Sequence, residues 1–554
     1  ELNTTLYAIY DPTHDGAKSY KDNGNGTHTY TWSCCNQSVT ENHTFTGMKC
    51  ICGTMDHTCQ YTNGFCQYGC YEPAELVGDY YQIKNGGNLF WFANYVNMAD
   101  RTASAKLTAN INLENRAWTP IGFTGETNNN FRGHFDGNGK IITGLNVQGG
   151  RSGLGFFGEV RLGTVENFTI YGEVKLTGNH GYVGGVIGSA PGVTSDQPEH
   201  NGATIRNITS YVNVTLGEGS HGASRVGGFI GYANHATLIE NCAWYGTLDL
   251  GPYRAQDGVG GLLGKANDNS AVTIRNCGAY GTIKTSYQSG SYNSFDTIFI
   301  GGIVSNSVDS AKTVIENTLW AGTIVNNTNL AAGKAHISAF GTLNGIGSVT
   351  NCYALADSTP YLTTNGTHDS YITTKTAEQL KSGEVAYLLQ GTQDTQIWGQ
   401  TIGTNNYPIL GGAKVYPIKN CKDEIINYSN TDAPLVHFWS DNGFCTVCDA
   451  YEPAQLVDGS YQIGNAGQLY WFAQQVNDGQ TSINGKLTAN ITVNANVLAE
   501  DGTLNTGFFR YWTPIGNDIR NYAGTFDGNG KTVSGLYVNE DTNYVGLFGY
   551  VNGG

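Results

Sequence analysis

The chain has 554 residues, of which only 13% are charged while 76 are Gly, a mixture that suits many short strands joined by tight turns and argues against long helices. Its net charge of −16, with no cluster of Lys and Arg, lacks the electrostatic footprint that nucleic-acid or anionic-membrane binding requires. No run of about 18 apolar residues exists, and Glu1 is not followed by a basic and then apolar signal pattern. The numbered sequence is therefore read without a membrane span or a signal, as if a targeting segment had already been removed.

Residues 1–70 and 418–450 are polar and rich in Cys and His. A His followed by two closely spaced Cys occurs four times: His28 with Cys34 and Cys35, His43 with Cys50 and Cys52, His57 with Cys66 and Cys70, and His437 with Cys445 and Cys448. With Cys421 upstream, the last group offers a Cys3His set of the soft kind that structural zinc takes. Ten of the 13 Cys lie in these segments, an even number equally compatible with disulfides, which an extracellular location favours. The recurrent His has no role in a disulfide framework and tips the reading to structural zinc. Either staple would hold segments too short and polar to bury a core alone.

Residues 71–417 form the main region. A helix is predicted over Asn88 to Val96, its Leu, Phe, Trp and Ala face plugging one end of the repeat array. Asp136-Gly137-Asn138-Gly139 looks like a calcium loop but lacks the remaining ligand positions, so it reads as a turn. An apolar-x-Asn pattern then recurs six times, ending at Asn167, Asn207, Asn241, Asn276, Asn317 and Asn351, with a period of 34–41 residues. Glycine-rich strands such as Val226-Gly227-Gly228-Phe229-Ile230-Gly231 accompany the first five.

Three short strands per period suit one turn of a parallel β-helix, because each repeat can bury its apolar face only by stacking on the next. The equivalent Asn residues are expected to form a hydrogen-bonded ladder without chemistry of its own. Cys242, Cys277 and Cys352, each one residue past a ladder Asn, are expected to stack as inert buried thiols. These Val-Gly-Gly-x-x-Gly and Ile-x-Asn-Cys units resemble the GLUG-type repeats of bacterial surface proteins, which occur in adhesin-like proteins and beside immunoglobulin-cleaving proteases. The resemblance covers roughly residues 150–355. It implies a cell-surface or secreted location and an adhesin class; the matching repeats contain no protease motif.

The array is expected to close with one helix from Thr376 to Gln390, stopped by Gly391. Residues 65–158 then recur at about 444–549, with Trp118-Thr119-Pro120-Ile121-Gly122 returning as Trp512 to Gly516 and a second helix over Gln468 to Val476. Residues 451–554 thus read as the start of a second unit, and the chain as a fragment of a longer one.

Loops between repeats are the expected ligand face, carrying Tyr253, Arg254, Tyr287, Tyr292 and Phe295, side chains able to stack on sugar rings or receive a partner's residues. Asp257 and Asp296 precede neighbouring Gly-Gly strands, and stacking them is the weak route to glycosidic acid/base chemistry. No zinc-protease, phosphate-loop or dinucleotide motif is present.

The sequence therefore predicts a mainly β protein: a right-handed parallel β-helix with short capping helices and small Cys/His-rich modules. Its expected role is that of an adhesin or binding scaffold for glycans or host proteins, with structural zinc as the one cofactor. A polysaccharide-degrading enzyme and a passive stalk are the alternatives.

Overall fold

The computed structural model describes residues 18–23, 25, 27–33, 38–43, 45–46, 49–50, 60–67, 69–123, 130–150, 152–178, 181–191, 202–220, 223–234, 236–266, 272–288, 297–307, 313–330, 334–341, 346–359, 372–539 and 543–553. The protein is mainly β with a few short helices. It divides into two compact units: 1–377 with 388–398 and 409–411, and 378–387 with 399–408 and 412–554.

In the first unit, strands Tyr80–Ile83, Ser104–Leu107, His134–Gly149, Thr164–Leu176 and Thr204–Leu216 pair in parallel one after another. Beyond Leu216 the next three repeats each contribute three shorter strands to the same sheet, for example Thr273–Arg275, Gly278–Ala279 and Thr282–Thr285. The register is that of the sequence repeat: Val165 pairs with Ile205, Ile205 with Ile239, Ile239 with Ile274, Ile274 with Ile315 and Ile315 with Val349. Val165, Ile205, Ile239, Ile274 and Ile315 are fully buried, and burying each stabilises the array by roughly 1.5–3 kcal/mol.

Two further five-stranded parallel sheets run alongside, one through Ile187–Ala190, Ile230–Ala233 and Leu263–Ala266, the other through Ala223–Gly227, Ala255–Gly260 and Ile298–Gly301. The Gly-Gly pairs exist because these sheets pinch together. A Cβ on Gly227 would sit 1.8 Å from the carbonyl oxygen of Ile230, and one on Gly260 1.9 Å from that of Leu263. The second glycine of two pairs makes room for an indole: a Cβ on Gly228 would meet Trp244 at 2.2 Å, and one on Gly302 would meet Trp320 at 2.3 Å. Both Trp side chains are completely buried.

The first helix, Gly86–Met98, is capped by Asn85, whose side chain accepts from the Asn88 N–H at 2.8 Å. It buries Leu89, Phe90, Phe92, Ala93 and Val96. Trp91 falls outside that buried face and instead stacks on Tyr95 with ring centres 5.1 Å apart. The expected single closing helix is two, Ala377–Lys381 and Glu384–Gln390. Gly383 between them has φ +96°, which ends one helix before the next begins.

In the second unit, Ser460–Ile463, Asn484–Leu487 and Phe526–Asp527 pair in parallel, and helix Ala466–Asn477 lies on a core of its own with Trp512 and Ile515. The duplication read from sequence extends to single contacts. Trp118 Nε1 donates to the Phe156 carbonyl at 3.0 Å, and its counterpart Trp512 Nε1 donates at 3.0 Å to the Gly546 carbonyl, one position before the counterpart of Phe156. Asn97 Oδ1 accepts from Gly122 at 2.8 Å, and Asn477 Oδ1 from Gly516 at 2.9 Å. Among the described residues no helix is long and apolar enough to cross a membrane.

Candidate functional site

Of the metal-ligating candidates, the structure gathers one complete set. Cys421 follows the hairpin strand Tyr416–Lys419 in the turn Asn420 to Asp423, pinned by the Asn420 side chain, which accepts from Lys422 and Glu424 N–H at 2.9 and 3.0 Å. Cys445 and Cys448 flank a second tight turn, where Asp449 N–H donates to the Cys445 carbonyl. The ligand atoms of Cys421, His437, Cys445 and Cys448 all lie within 4.8 Å of one another. Cys421 and Cys445 sulfurs are 3.5 Å apart, and Cys448 Sγ is 3.4 Å from His437 Nδ1. These spacings approach the edges of a zinc tetrahedron, roughly 3.5–3.8 Å for Zn–S near 2.3 Å and Zn–N near 2.0 Å. Cys421 and Cys448 are also joined as a disulfide, with Cα atoms 6.2 Å apart.

The same four residues thus form either a metal cage or a disulfide flanked by a thiol and an imidazole. The Cys445 thiol is brought down to about 7: burial opposes ionisation, and the N–H groups of Val447 and Cys448 together with His437 outweigh it. That is the thiolate character a metal ligand needs. His437 is further held by stacking on Trp439 at 4.8 Å.

The N-terminal candidates fare differently. In the three-stranded antiparallel sheet Lys18–Asp22, Thr27–Trp32, Ser38–Asn42, the buried His28 meets Glu41 at 3.0 Å, and His43 meets Asp22 at 3.3 Å. The two imidazoles stack at 5.6 Å. His28 and His43 are therefore placed together and against carboxylates. Cys34, Cys35, Cys52, His57 and the Cys50 side chain lie outside the described residues. Cys66 and Cys70 sit on one tight turn, closed by Cys66 N–H to the Cys70 carbonyl at 3.0 Å.

Of the loop candidates, Tyr253, Arg254, Asp257 and Tyr287 lie among the described residues. Tyr287 is a core side chain, only 1% exposed, because the alternation of strand Thr282–Thr285 runs on past its end and keeps Ile283, Thr285 and Tyr287 on the buried face. Tyr253 packs half-buried against the same core, and Arg254 donates to the Thr297 carbonyl at 3.2 Å. Asp257 faces Arg225 at 3.4 Å. The Arg225 guanidinium in turn lies over the rings of Tyr232 and Tyr182, at 4.3 and 4.9 Å. Tyr292, Phe295 and Asp296 lie outside the described residues.

What the sequence reading missed is an aromatic row on the outside of the main sheet. Tyr171, Tyr211, Tyr245 and Tyr280 stack in succession at 4.6, 4.9 and 4.5 Å with nearly parallel rings. The signal was available, since each Tyr lies four residues after a ladder Asn. Beside it runs a charge row, Lys106–Asp136 at 3.1 Å, Glu166 with Arg206, and Glu240–Arg275 at 2.6 Å, in which opposite signs on adjacent strands favour the observed register. The Asn ladder forms in two stretches rather than one: Asn207 Nδ2 donates to Asn167 Oδ1 at 2.8 Å and Asn241 to Asn207 at 3.0 Å, then Asn351 to Asn317 at 2.9 Å, while Asn241 Oδ1 and Asn276 Oδ1 between them are buried without a partner. Cys242, Cys277 and Cys352 are buried in one row beneath it.

No family model matches the chain. A stretch of 148 residues, 26% of the chain, is 32% identical to a protein named halomucin from Haloquadratum walsbyi (strain DSM 16790 / HBSQ001). The chain spans about 1% of that relative's length.

Proposed function

We propose that this chain is part of an extracellular or cell-surface repeat protein that acts as an adhesin or binding scaffold for glycans or host proteins, built on a right-handed parallel β-helix. The observation that carries the reading is the unbroken parallel register from Val165 to Val349, which turns six sequence repeats into one continuous outer face. Rows of Tyr, Asn and paired charges recur on successive strands of that face, a surface suited to display rather than to a single reaction centre. Right-handedness follows from the strong preference of parallel crossovers. The GLUG-type resemblance supports the adhesin class, and the similarity to halomucin is in keeping with an extracellular location.

Within this reading Cys421, His437, Cys445 and Cys448 hold a structural zinc ion that clamps the polar linker around residues 418–450. The ion supplies cross-linking only, since all four donors come from the protein and none is left to orient a substrate.

The test is retention of the purified chain on an array of glycans and matrix proteins, with mass spectrometry of the same wells. Retention without shortened products supports a scaffold. New products overturn it in favour of an enzyme, and the absence of both retention and products overturns it in favour of a passive stalk.

A further inference from the structure

Arg101, Arg132 and Arg161 are 31 and then 29 residues apart in the sequence, and the fold stacks them on successive rungs, just before strands Ser104–Leu107, His134–Gly149 and Thr164–Leu176. Arg132 N–H donates to the Arg101 carbonyl and Arg161 N–H to that of Phe131, both at 2.8 Å. Phe131 bridges Val160 in parallel register, and both side chains are completely buried. The next residue on each rung therefore faces outward, which sets Arg132 beside Arg161 with Cα atoms about 4.8 Å apart. Both remain partly open to solvent. Like charges directly opposite on neighbouring strands are destabilising. Along the main sheet neighbouring rungs carry opposite signs, as in Glu166 with Arg206 and Glu240 with Arg275; at this corner they do not.

Two neighbouring carboxylates are already engaged. Glu159 Oε1 accepts from Arg161 Nη2 at 2.8 Å, and Asp100 accepts from the N–H and hydroxyl of Thr102 at 2.9 and 2.6 Å. Among the described residues Arg132 makes no ion pair; its Nε donates to the Asn130 amide oxygen at 2.7 Å. Arg161 Nε is buried without a hydrogen-bond partner. Burial first, and then the charges of Arg101 and Arg161, hold the Arg132 guanidinium below its ordinary value. The duplicated unit shows that the fold does not require this arrangement. The same corner recurs there with Ala523 N–H on the Thr481 carbonyl at 2.8 Å, Asn552 N–H on that of Tyr522 at 2.9 Å, and Tyr522 bridging Val551. Thr481, Ala523 and Asn552 thus stand where Arg101, Arg132 and Arg161 do, and Tyr550 stands in place of Glu159. The backbone closes equally well without a charge, so the arginines serve something other than the turn.

We infer that Arg132 and Arg161, with Arg101 on the rung before them, bind an oxyanion of the sulfate or phosphate type, free or as the ester of a sugar. Guanidinium forks donate in pairs to such groups, and the several oxygens on one centre accept from both arginines at once. The bound anion supplies the negative charge that the stacked like charges lack. In a chain of net charge −16, an anion is held only where the fold gathers cations, and this corner does so. Oxyanion binding here adds a ligand to the scaffold reading without depending on it.

The whole chain is titrated with inorganic sulfate and with inorganic phosphate by calorimetry, and its retention on dextran sulfate is compared with that on unsubstituted dextran. Arg132→Ala combined with Arg161→Asn installs the residues of the second unit, and Arg132→Gln alone is a milder second variant; thermal melts establish that each folds. Saturable binding of either ion, or of dextran sulfate but not dextran, weakened about tenfold or more in both variants, supports the inference. Tighter binding per sulfate group on the polymer than in free solution identifies the sugar ester as the source, and equal affinity identifies the free ion. Absence of binding to ions and polymer alike, or binding unchanged in both variants, overturns it. Retention of the same preparations on the array of glycans and matrix proteins shows separately whether the scaffold reading stands.

Discussion

Asn207 and Asn167 sit on adjacent rungs with backbones in the left-handed region, φ +55° and +64°, and the amide of Asn207 reaches Asn167 Oδ1 at 2.8 Å. All six ladder positions share this conformation, with φ between +47° and +64°. Asn is the side-chain-bearing residue that tolerates it best, and its amide both donates and accepts, so one residue type meets the backbone and the ladder requirement together.

Replacing Asn207 separates the two. Asn207→Ala loses the bonds to Asn167 and Asn241 and strains the backbone, at a cost of about 3 kcal/mol, from about 1 kcal/mol per bond and about 1 for the left-handed residue. Asn207→Gly loses only the bonds and is expected to cost about 2 kcal/mol. Urea denaturation midpoints of the two variants measure the difference.

Two glycines with contrasting surroundings test the pinch between sheets. Gly227→Ala drives a Cβ into the Ile230 carbonyl and is expected to cost about 3 kcal/mol or more, since the obstacle is backbone. Gly139→Ala, at φ +69° with nothing within 4 Å, is expected to cost about 1 kcal/mol. Comparable melting temperatures for both would refute the pinch.

The row of thiols is expected to be unreactive. Burial pushes Cys352 up to about 12 and Cys242 well above the ordinary thiol range. At neutral pH neither forms the thiolate, so a disulfide reagent titrates them only once the chain is denatured. Rapid labelling of Cys242 or Cys352 in the folded protein would contradict their placement.

Asp136 makes the ladder sensitive to acid. Burial alone would raise its pKa, but hydrogen bonds from Asn167, the Asn138 N–H and Lys106 outweigh it and hold the carboxyl below the usual range. A depressed carboxyl stabilises the fold above its unfolded value, about 3.9, and that contribution is lost as pH falls through the folded value. The stability gap between the native chain and Asp136→Asn should therefore be constant near neutrality and close below about pH 4. Melting temperatures recorded from neutral to strongly acidic pH read it directly.

Metal content distinguishes the two states open to the Cys3His set. One zinc per chain at this site, lost in His437→Ala and in Cys445→Ser, is expected together with alkylation of Cys421 and Cys448 without reductant once the metal is chelated. Blocked Cys421 and Cys448 in a metal-free protein would instead establish the disulfide.

The repeats were legible in the sequence because a stacked array imposes the same local environment every 34–41 residues. Wherever the chain needed a left-handed Asn, a Gly without a Cβ or a buried Ile, it needed it again one rung later, and the period is visible without knowing the fold. The duplication around Trp118 and Trp512 and the donor set around His437 were readable for similar reasons. Tertiary structure alone decided which charged side chains meet: Asp257 faces Arg225, and His28 faces Glu41. Those outcomes depend on how segments distant in sequence lie beside one another, and no local spacing encodes that.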